Sequence, residues 1–356
     1  MNRIHRTAIE IPIATPSPFV ILDILSIPST RALIFYMGYR SLVLSLLCTA
    51  TTAAVAAEPP PFELKDGDRV VFLGNTLIER EQKYGYWELM LTMAWPERNV
   101  TFRNLGWSGD TVWGESRAGF GTQADGFKKL VEEVNAAKPT VIFVGYGNVE
   151  AFDGEKGLPR FIEGYNKLLD ELKKTKARVV VLGPVDMTAR VPNGVAKMPE
   201  PAISRYNAET ARYASSIQQM AEKRGHRYLP APPSDILLPL AEDGLQRTSV
   251  GYVVMAQQLA HLLDIHVPKF QKWVFDKPLS SELDQLRTTI IKKNELFFHR
   301  WRPQNETYLF GFRKHEQGNN AKEVFEFDPL VVAEEKKIAE LRVKLAAEWK
   351  EARDGK

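Results

Sequence analysis

The sequence predicts a doubly wound α/β domain. Five parallel strands are expected in one sheet, with helices on both faces and a helical and irregular extension at the C-terminus. Two observations carry this expectation. Five short β-rich runs occur at wide spacing, and stretches with helical periodicity lie between them. Strands that alternate with helices pack as a parallel sheet covered on both sides.

The runs are 69–73 (RVVFL), 100–104 (VTFRN), 140–145 (TVIFVG), 178–183 (RVVVLG) and a weaker 227–229. The first helical stretch, 84–95, carries bulky residues at Tyr84, Trp87, Leu91 and Trp95. The stretches 126–137, 158–175 and 203–224 are amphipathic, and 249–263 follows the last strand. From about residue 267 the character changes. Residues 279–298 read as a helix and 331–352 as a charged helix. Between them, 301–317 (WRPQNETYLFGFRKHEQ) is aromatic and polar with a proline, and reads as irregular or extended. The extension is either a small subdomain or a strap on the α/β domain, and its aromatic residues need burial, which favours the strap. No internal repeat is present.

The chain has 356 residues, 44% hydrophobic and 26% charged, the composition of a folded soluble protein and not of a disordered, collagenous or disulfide-rich one. Its formal net charge is +3. Four arginines and two acidic residues fall within 1–57, which leaves 43 basic and 42 acidic residues in the remainder. A nucleic-acid binder shows a basic excess, so nucleic acid is not the expected partner. Cys48 is the single cysteine. One thiol excludes a disulfide scaffold, a cysteine-rich zinc site and an iron–sulfur cluster.

Residues 37–57 (MGYRSLVLSLLCTATTAAVAA) have the form of a secretory signal peptide. Arg40 is the positive start, an apolar stretch begins at Ser41, and Ala54-Val55-Ala56 is the cleavage signal. The strongly apolar part is shorter than the roughly 20 residues that a membrane span needs, so no transmembrane span is expected in the mature chain. Met37 is the expected start of translation. The expected division is 1–57 for the signal-peptide region, 58–266 for the α/β domain and 267–356 for the extension. The protein is then exported to the periplasm, the cell envelope or the medium.

In an open parallel sheet, ligands bind beyond the carboxyl ends of the strands. The residues just past each run are therefore the informative ones. Gly74-Asn75-Thr76 follows the first run, and Asn104-Leu105-Gly106-Trp107-Ser108-Gly109-Asp110-Thr111 the second. Tyr146-Gly147-Asn148-Val149-Glu150-Ala151-Phe152 follows the third, and Asp243-Gly244-Leu245-Gln246 precedes the last helix. Together these segments resemble the four sequence blocks of the SGNH (GDSL-type) hydrolase family over residues 66–265. The resemblance implies a flavodoxin-like α/β/α sandwich. It also implies hydrolysis of esters, including acyl esters on carbohydrate, without a cofactor or a metal.

Carried over position by position, the resemblance exposes departures. Thr76 occupies the place of the nucleophilic serine in the family's Gly-Asp-Ser turn. A threonine hydroxyl can attack an ester, but its methyl restricts χ1 and crowds the approach. Gly109 matches the glycine that donates its N–H to the oxyanion. The oxyanion asparagine is Asn148 in one alignment. In another, which also keeps Glu150-Ala151-Phe152 in register, Val149 takes its slot. Gln246 stands where the family has its histidine base, and glutamine has no nitrogen that takes up a proton near neutral pH. Asp243 remains, although its family role is to orient that histidine. The degenerate triad positions are thus Thr76, Asp243 and Gln246, with Asn75, Gly109, Asp110, Asn148 and Glu150 around them.

Other roles are open to the remaining residues. His226, His261, His266, His299 or His315 can stand in as base if the fold brings one to Thr76. Asp110, Glu150, Asp186 and Asp243 can cluster around a cation or sugar hydroxyls, or can simply cap loops. Trp107 and Trp113 can stack on a sugar ring or pack internally. The glycines at 106–109 and 119–121 lack a Walker lysine or a complete dinucleotide fingerprint, so no phosphate loop is expected. Three functions follow: an ester hydrolase with a compromised nucleophile, a non-catalytic relative that binds a small ester or glycan ligand, and an envelope component whose tail docks a partner. A tail lying in the strand-end pocket would favour the third over the second, and His299 or His315 beside Thr76 would favour the first.

Overall fold

The computed structural model describes residues 61–232, 238–265 and 279–354. The signal-peptide region, Cys48, His266 and the expected boundary at 266/267 lie outside the described residues. Five strands form one sheet: β1 (Arg69–Gly74), β2 (Thr101–Gly106), β3 (Val141–Gly145), β4 (Arg178–Leu182) and β5 (Arg227–Leu229). Their order is β2-β1-β3-β4-β5, and every neighbouring pair is parallel. This is the flavodoxin-like doubly wound order, with its switch point between β1 and β3.

The strands are apolar on successive positions because both faces are covered. Val70 and Phe72 of β1 face one core with Val141 and Phe143 of β3, while Val71 and Leu73 face the other with Ile142 and Val144. The first core is closed by α2 (Tyr86–Ala94), α6 (Ser249–Leu262), α7 (Ser281–Trp301) and α10 (Phe327–Asp354). The second is closed by α3 (Gln123–Ala137), α4 (Gly154–Lys174) and α5 (Glu200–Lys223). α3 starts three residues before the expected 126 because Thr122 and Asp125 form a capping box that satisfies its first free N–H groups.

One element at the centre of the site has no counterpart in the sequence reading. Helix α1 (Thr76–Glu81) starts directly after β1, with Asn75 as its cap. Six residues are too few to show a helical period. A glycine lets α1 lie where it does: a Cβ on Gly106 would come within 2.2 Å of the Glu79 nitrogen.

The extension is more helical than expected. Residues 301–317 were expected to be irregular or extended, but they contain α8 (Glu306–Leu309) and α9 (Lys314–Gln317), and a 3₁₀ stretch runs over Gly318–Glu326. Leu283, Leu286 and Ile290 of α7 and Ile338 and Leu345 of α10 are buried in the same core as α2 and α6. Phe297 and Trp301 pack against the opposite core, whereas Phe310, Phe312 and Phe325 stay exposed. Among the described residues no helix is long and apolar enough to cross a membrane.

Candidate functional site

The carboxyl ends of the strands bring the family-like segments to one place. A cavity of about 190 Å³ is lined by Asn75, Thr76, Leu77 and Arg80 from the β1–α1 segment and by Asn148, Val149 and Phe152 after β3. Val185 after β4 and Asp243, Leu245, Gln246, Arg247 and Tyr252 around the start of α6 complete it. Three of the four segments singled out in the sequence thus share one cavity. The fourth approaches through Gly109, whose N–H donates to Thr76 Oγ1 at 3.0 Å. Gly109 has φ +72°, in the left-handed region, and so turns its amide toward Thr76 without Cβ strain. Glu79 holds this loop in place by accepting from Ser108 N at 2.7 Å and from Ser108 Oγ at 2.8 Å.

Asn148 lines the cavity, but its Nδ2 donates to Val185 O at 2.7 Å and to the Tyr206 hydroxyl at 3.0 Å. Its Oδ1 accepts from Val185 N. Both amide hydrogens are therefore committed to the β4 loop and α5, and none is left for an oxyanion. Val149 stands beside it on the cavity wall.

Gln246, which the resemblance places at the family's base position, lines the cavity. Asp243 is exposed, and its Oδ1 accepts from the backbone of Leu245 at 3.0 Å and of Gln246 at 2.8 Å, which folds it onto its own loop. No described histidine lines the cavity. His299 lies edge-on to Phe298 on α7 and beside Phe327. His315 is exposed next to Glu316, His261 ends α6, and His226 precedes β5 at the far end of the sheet. None of these four lines the cavity, which leaves them to structural roles. No tail residue lines this cavity either.

Two carboxylates expected near the ligand are framework groups instead. Asp110 and Arg117 form a fully buried ion pair at 2.7 Å, with Ser116 N and the Tyr146 hydroxyl also donating to Asp110. Burial pushes the Asp110 carboxyl up despite the guanidinium that opposes the shift. Glu150 accepts from Val112 N and Gly147 N, both at 2.9 Å, and ties the loops after β2 and β3 together. Burial pushes its carboxyl up to about 7, against those hydrogen bonds. With both groups spent internally, the carboxylate-cluster reading falls. Among the described residues no group of His, Cys, Asp and Glu is placed to hold an ion. Neither Trp107 nor Trp113 lines the strand-end cavity. Trp113 is buried against Gly164 and Phe127. Trp107 is covered by the Arg302 guanidinium, 3.7 Å from its ring centre, and meets Trp301 edge-on.

The sequence reading missed Arg80 and Arg247. Arg80 lies four residues after Thr76 on α1, so i,i+4 spacing would have placed it on the same face had the helix been recognised. Arg247 follows Gln246 in an irregular loop and carries no local signal.

The model of the GDSL-like lipase/acylhydrolase family matches residues 70–259, more than half of the chain. The chain belongs to this family. Among solved structures it is similar to an acetylxylan esterase from Geobacillus stearothermophilus, at 16% identity and TM-score 0.44 over 58% of this chain and 98% of that one. It is also similar to a GDSL-like lipase from Bacteroides thetaiotaomicron, at 16% identity and TM-score 0.39 over 55% and 88%. A gut microbial diltiazem-metabolizing enzyme matches at 17% identity and TM-score 0.44, and this chain spans 48% of its length. No curated protein matches.

Proposed function

We propose that this GDSL-family member binds a small acyl or glycan ligand in the strand-end cavity and does not turn it over. The observation that carries the reading is the base position. Gln246 lines the cavity with Thr76, and no described histidine does. A hydroxyl at its ordinary pKa is a weak nucleophile without a base to take its proton. The cavity meanwhile keeps an apolar wall of Leu77, Val149, Phe152, Val185 and Leu245, suited to an acyl chain or the face of a sugar ring. The absence of tail residues from the cavity supports ligand binding over occupation by the tail. We also propose export, with cleavage after Ala56 or Ala57; N-terminal sequencing of the protein recovered from the envelope and medium tests it.

The functional test is hydrolysis of short-chain p-nitrophenyl esters by the purified protein beside Thr76→Ala. The expected result is no turnover above the variant. Turnover that vanishes in Thr76→Ala would make Thr76 a working nucleophile and overturn the reading.

A further inference from the structure

A second cleft shares no lining residue with the strand-end cavity. It is a groove of about 450 Å³ between the loop that precedes α3 and the segment that joins α8 to α9. Phe120 stands on the first side, and Phe310 and Phe312 on the second. Phe120 is 84% exposed, Phe312 70% and Phe310 48%. Phe120 and Phe312 meet edge to face, with ring centres 5.6 Å apart. A cluster of exposed apolar rings marks a binding surface, whereas single exposed apolar residues are ordinary. The two sides are firmly held. Lys129 of α3 pairs with Glu306 of α8 and joins them. Gly121 N donates to Ala118 O and Phe310 N to Glu306 O, both at 2.8 Å. A Cβ on Gly121 would come within 2.9 Å of the Asp125 carboxylate, and one on Gly311 within 2.9 Å of the Thr307 carbonyl oxygen. The turns beside the rings are therefore tightly closed, and the rings are presented rather than left loose.

Charge and polarity select the occupant. Of the charged residues that line the groove, Lys129 is matched by Glu306, and Arg117 by Asp110 and Glu133. The one left is Asp125, an exposed carboxylate. Its bonds to Thr122 N and Oγ1 both use Oδ2, which leaves Oδ1 as an acceptor at the rim. An anionic lipid surface or a nucleic acid would need unmatched cations, and the groove lines none. An apolar knob of another protein would strip water from Asp125 and from the Lys129–Glu306 pair and return no hydrogen bond. A neutral sugar meets both demands. Its C–H face packs on the electron-rich face of a phenyl ring, and its hydroxyls donate to the carboxylates. The α8–α9 side lies beyond residues 70–259, so the groove depends on this chain's own extension and not on the part shared with the family.

We propose that this groove binds a neutral oligosaccharide, with Phe120 and Phe312 stacking on sugar rings and Asp125 accepting from a hydroxyl. It is a second site. It stands independently of the reading of the strand-end cavity above.

Calorimetric titration of the purified protein with cellohexaose, xylohexaose, mannohexaose and chitohexaose tests this. At least one of the four binds saturably. Phe120→Ala and Phe312→Ala each weaken it by about fivefold or more, and Phe312→Trp retains it. Both phenylalanines are exposed, so these variants keep the fold. Val149→Trp, which fills the strand-end cavity, leaves the affinity unchanged. No binding of any of the four, or binding that neither alanine variant weakens, would overturn the proposal. Binding lost in Val149→Trp and kept in both alanine variants would overturn it too, and would place the sugar in the strand-end cavity. Sedimentation velocity completes the test. Self-association of the unaltered protein that Phe120→Ala abolishes would assign the rings to a second copy of the chain and overturn the sugar. Ester turnover would sink the non-catalytic reading of the cavity and leave the groove standing.

Discussion

On the proposed reading, Thr76, Val149 and Gln246 are the side chains that keep the strand-end cavity from carrying out acyl transfer. Gly109 N–H already meets Thr76 Oγ1 at 3.0 Å, as an oxyanion donor beside a nucleophile would. On that reading a base and an unhindered hydroxyl are missing, and the Asn148 amide is committed to Val185 and Tyr206. Thr76→Ser with Gln246→His and Val149→Asn therefore gains ester hydrolysis by roughly 10²–10⁴-fold over the unaltered protein, the usual contribution of a positioned base. Initial rates on p-nitrophenyl acetate between pH 6 and 9 measure it. No gain in a folded triple variant would mean that the folded-back Asp243 loop, and not residue identity alone, disables the site. Thr76 and Gln246 were readable in the sequence because each stands at a fixed offset inside a recognisable segment, while Asn148 and Val149 stayed alternatives for one slot. The fate of Asn148 was not readable, since its partners Val185 and Tyr206 lie far along the chain.

At the scale of elements, α1 and α7 carry buried titratable groups. Glu81 ends α1, accepts from Trp87 N at 2.7 Å and is fully buried. Burial pushes its carboxyl up to about 8. Between its ordinary 4.5 and about 8 the folded state holds a proton that the unfolded chain has released. The stability tied to that proton is complete below about pH 4.5 and is lost as pH rises toward 8. Glu81→Gln keeps the acceptor and removes the titration. Relative to the unaltered protein it gains stability from pH 5 to 8, by up to about 1 kcal/mol per pH unit. Denaturant melts across that range measure it, and parallel curves for the two proteins would refute it.

Lys293 of α7 is likewise buried and donates to Glu88 of α2 at 2.8 Å and to the Phe102 carbonyl at 3.1 Å. Lys293→Met leaves Glu88 uncompensated and costs about 3–5 kcal/mol, whereas adding Glu88→Leu restores most of the loss. Urea unfolding of the single and double variants checks the pair. The helix at 279–298 was legible in the sequence, but nothing local marked Lys293 as buried. The short α1 left no periodic trace at all.

For the whole molecule, the two cores on opposite faces of the sheet set what can be removed. Leu283, Leu286, Ile290, Ile338 and Leu345 complete the core that α2 and α6 begin. Each aliphatic side chain of this kind is worth roughly 1.5–3 kcal/mol when fully buried. Together they rival the ~5–15 kcal/mol net stability of an ordinary domain. Ending the chain after residue 278 therefore yields insoluble or molten protein, and near-ultraviolet circular dichroism with size-exclusion chromatography checks this. A soluble truncation with native spectra would refute it.

The sequence by itself determined the parallel α/β architecture, the order in which the site segments occur, and the chemical identity of Thr76 and Gln246. Strands buried on both faces and helices with one apolar face write their periods locally, and motif offsets are local too. Only the tertiary structure decided which polar groups are spent and which are free. It turned the Asn148 amide into the β4 loop, sealed Asp110 and Glu150 into the framework and kept the described histidines away from the mouth. It also brought Asn75, Arg80 and Arg247 to one cavity wall. Those outcomes depend on hydrogen bonds and burial between residues distant in the chain, where each donor's partner is chosen by packing and not by its neighbours in sequence.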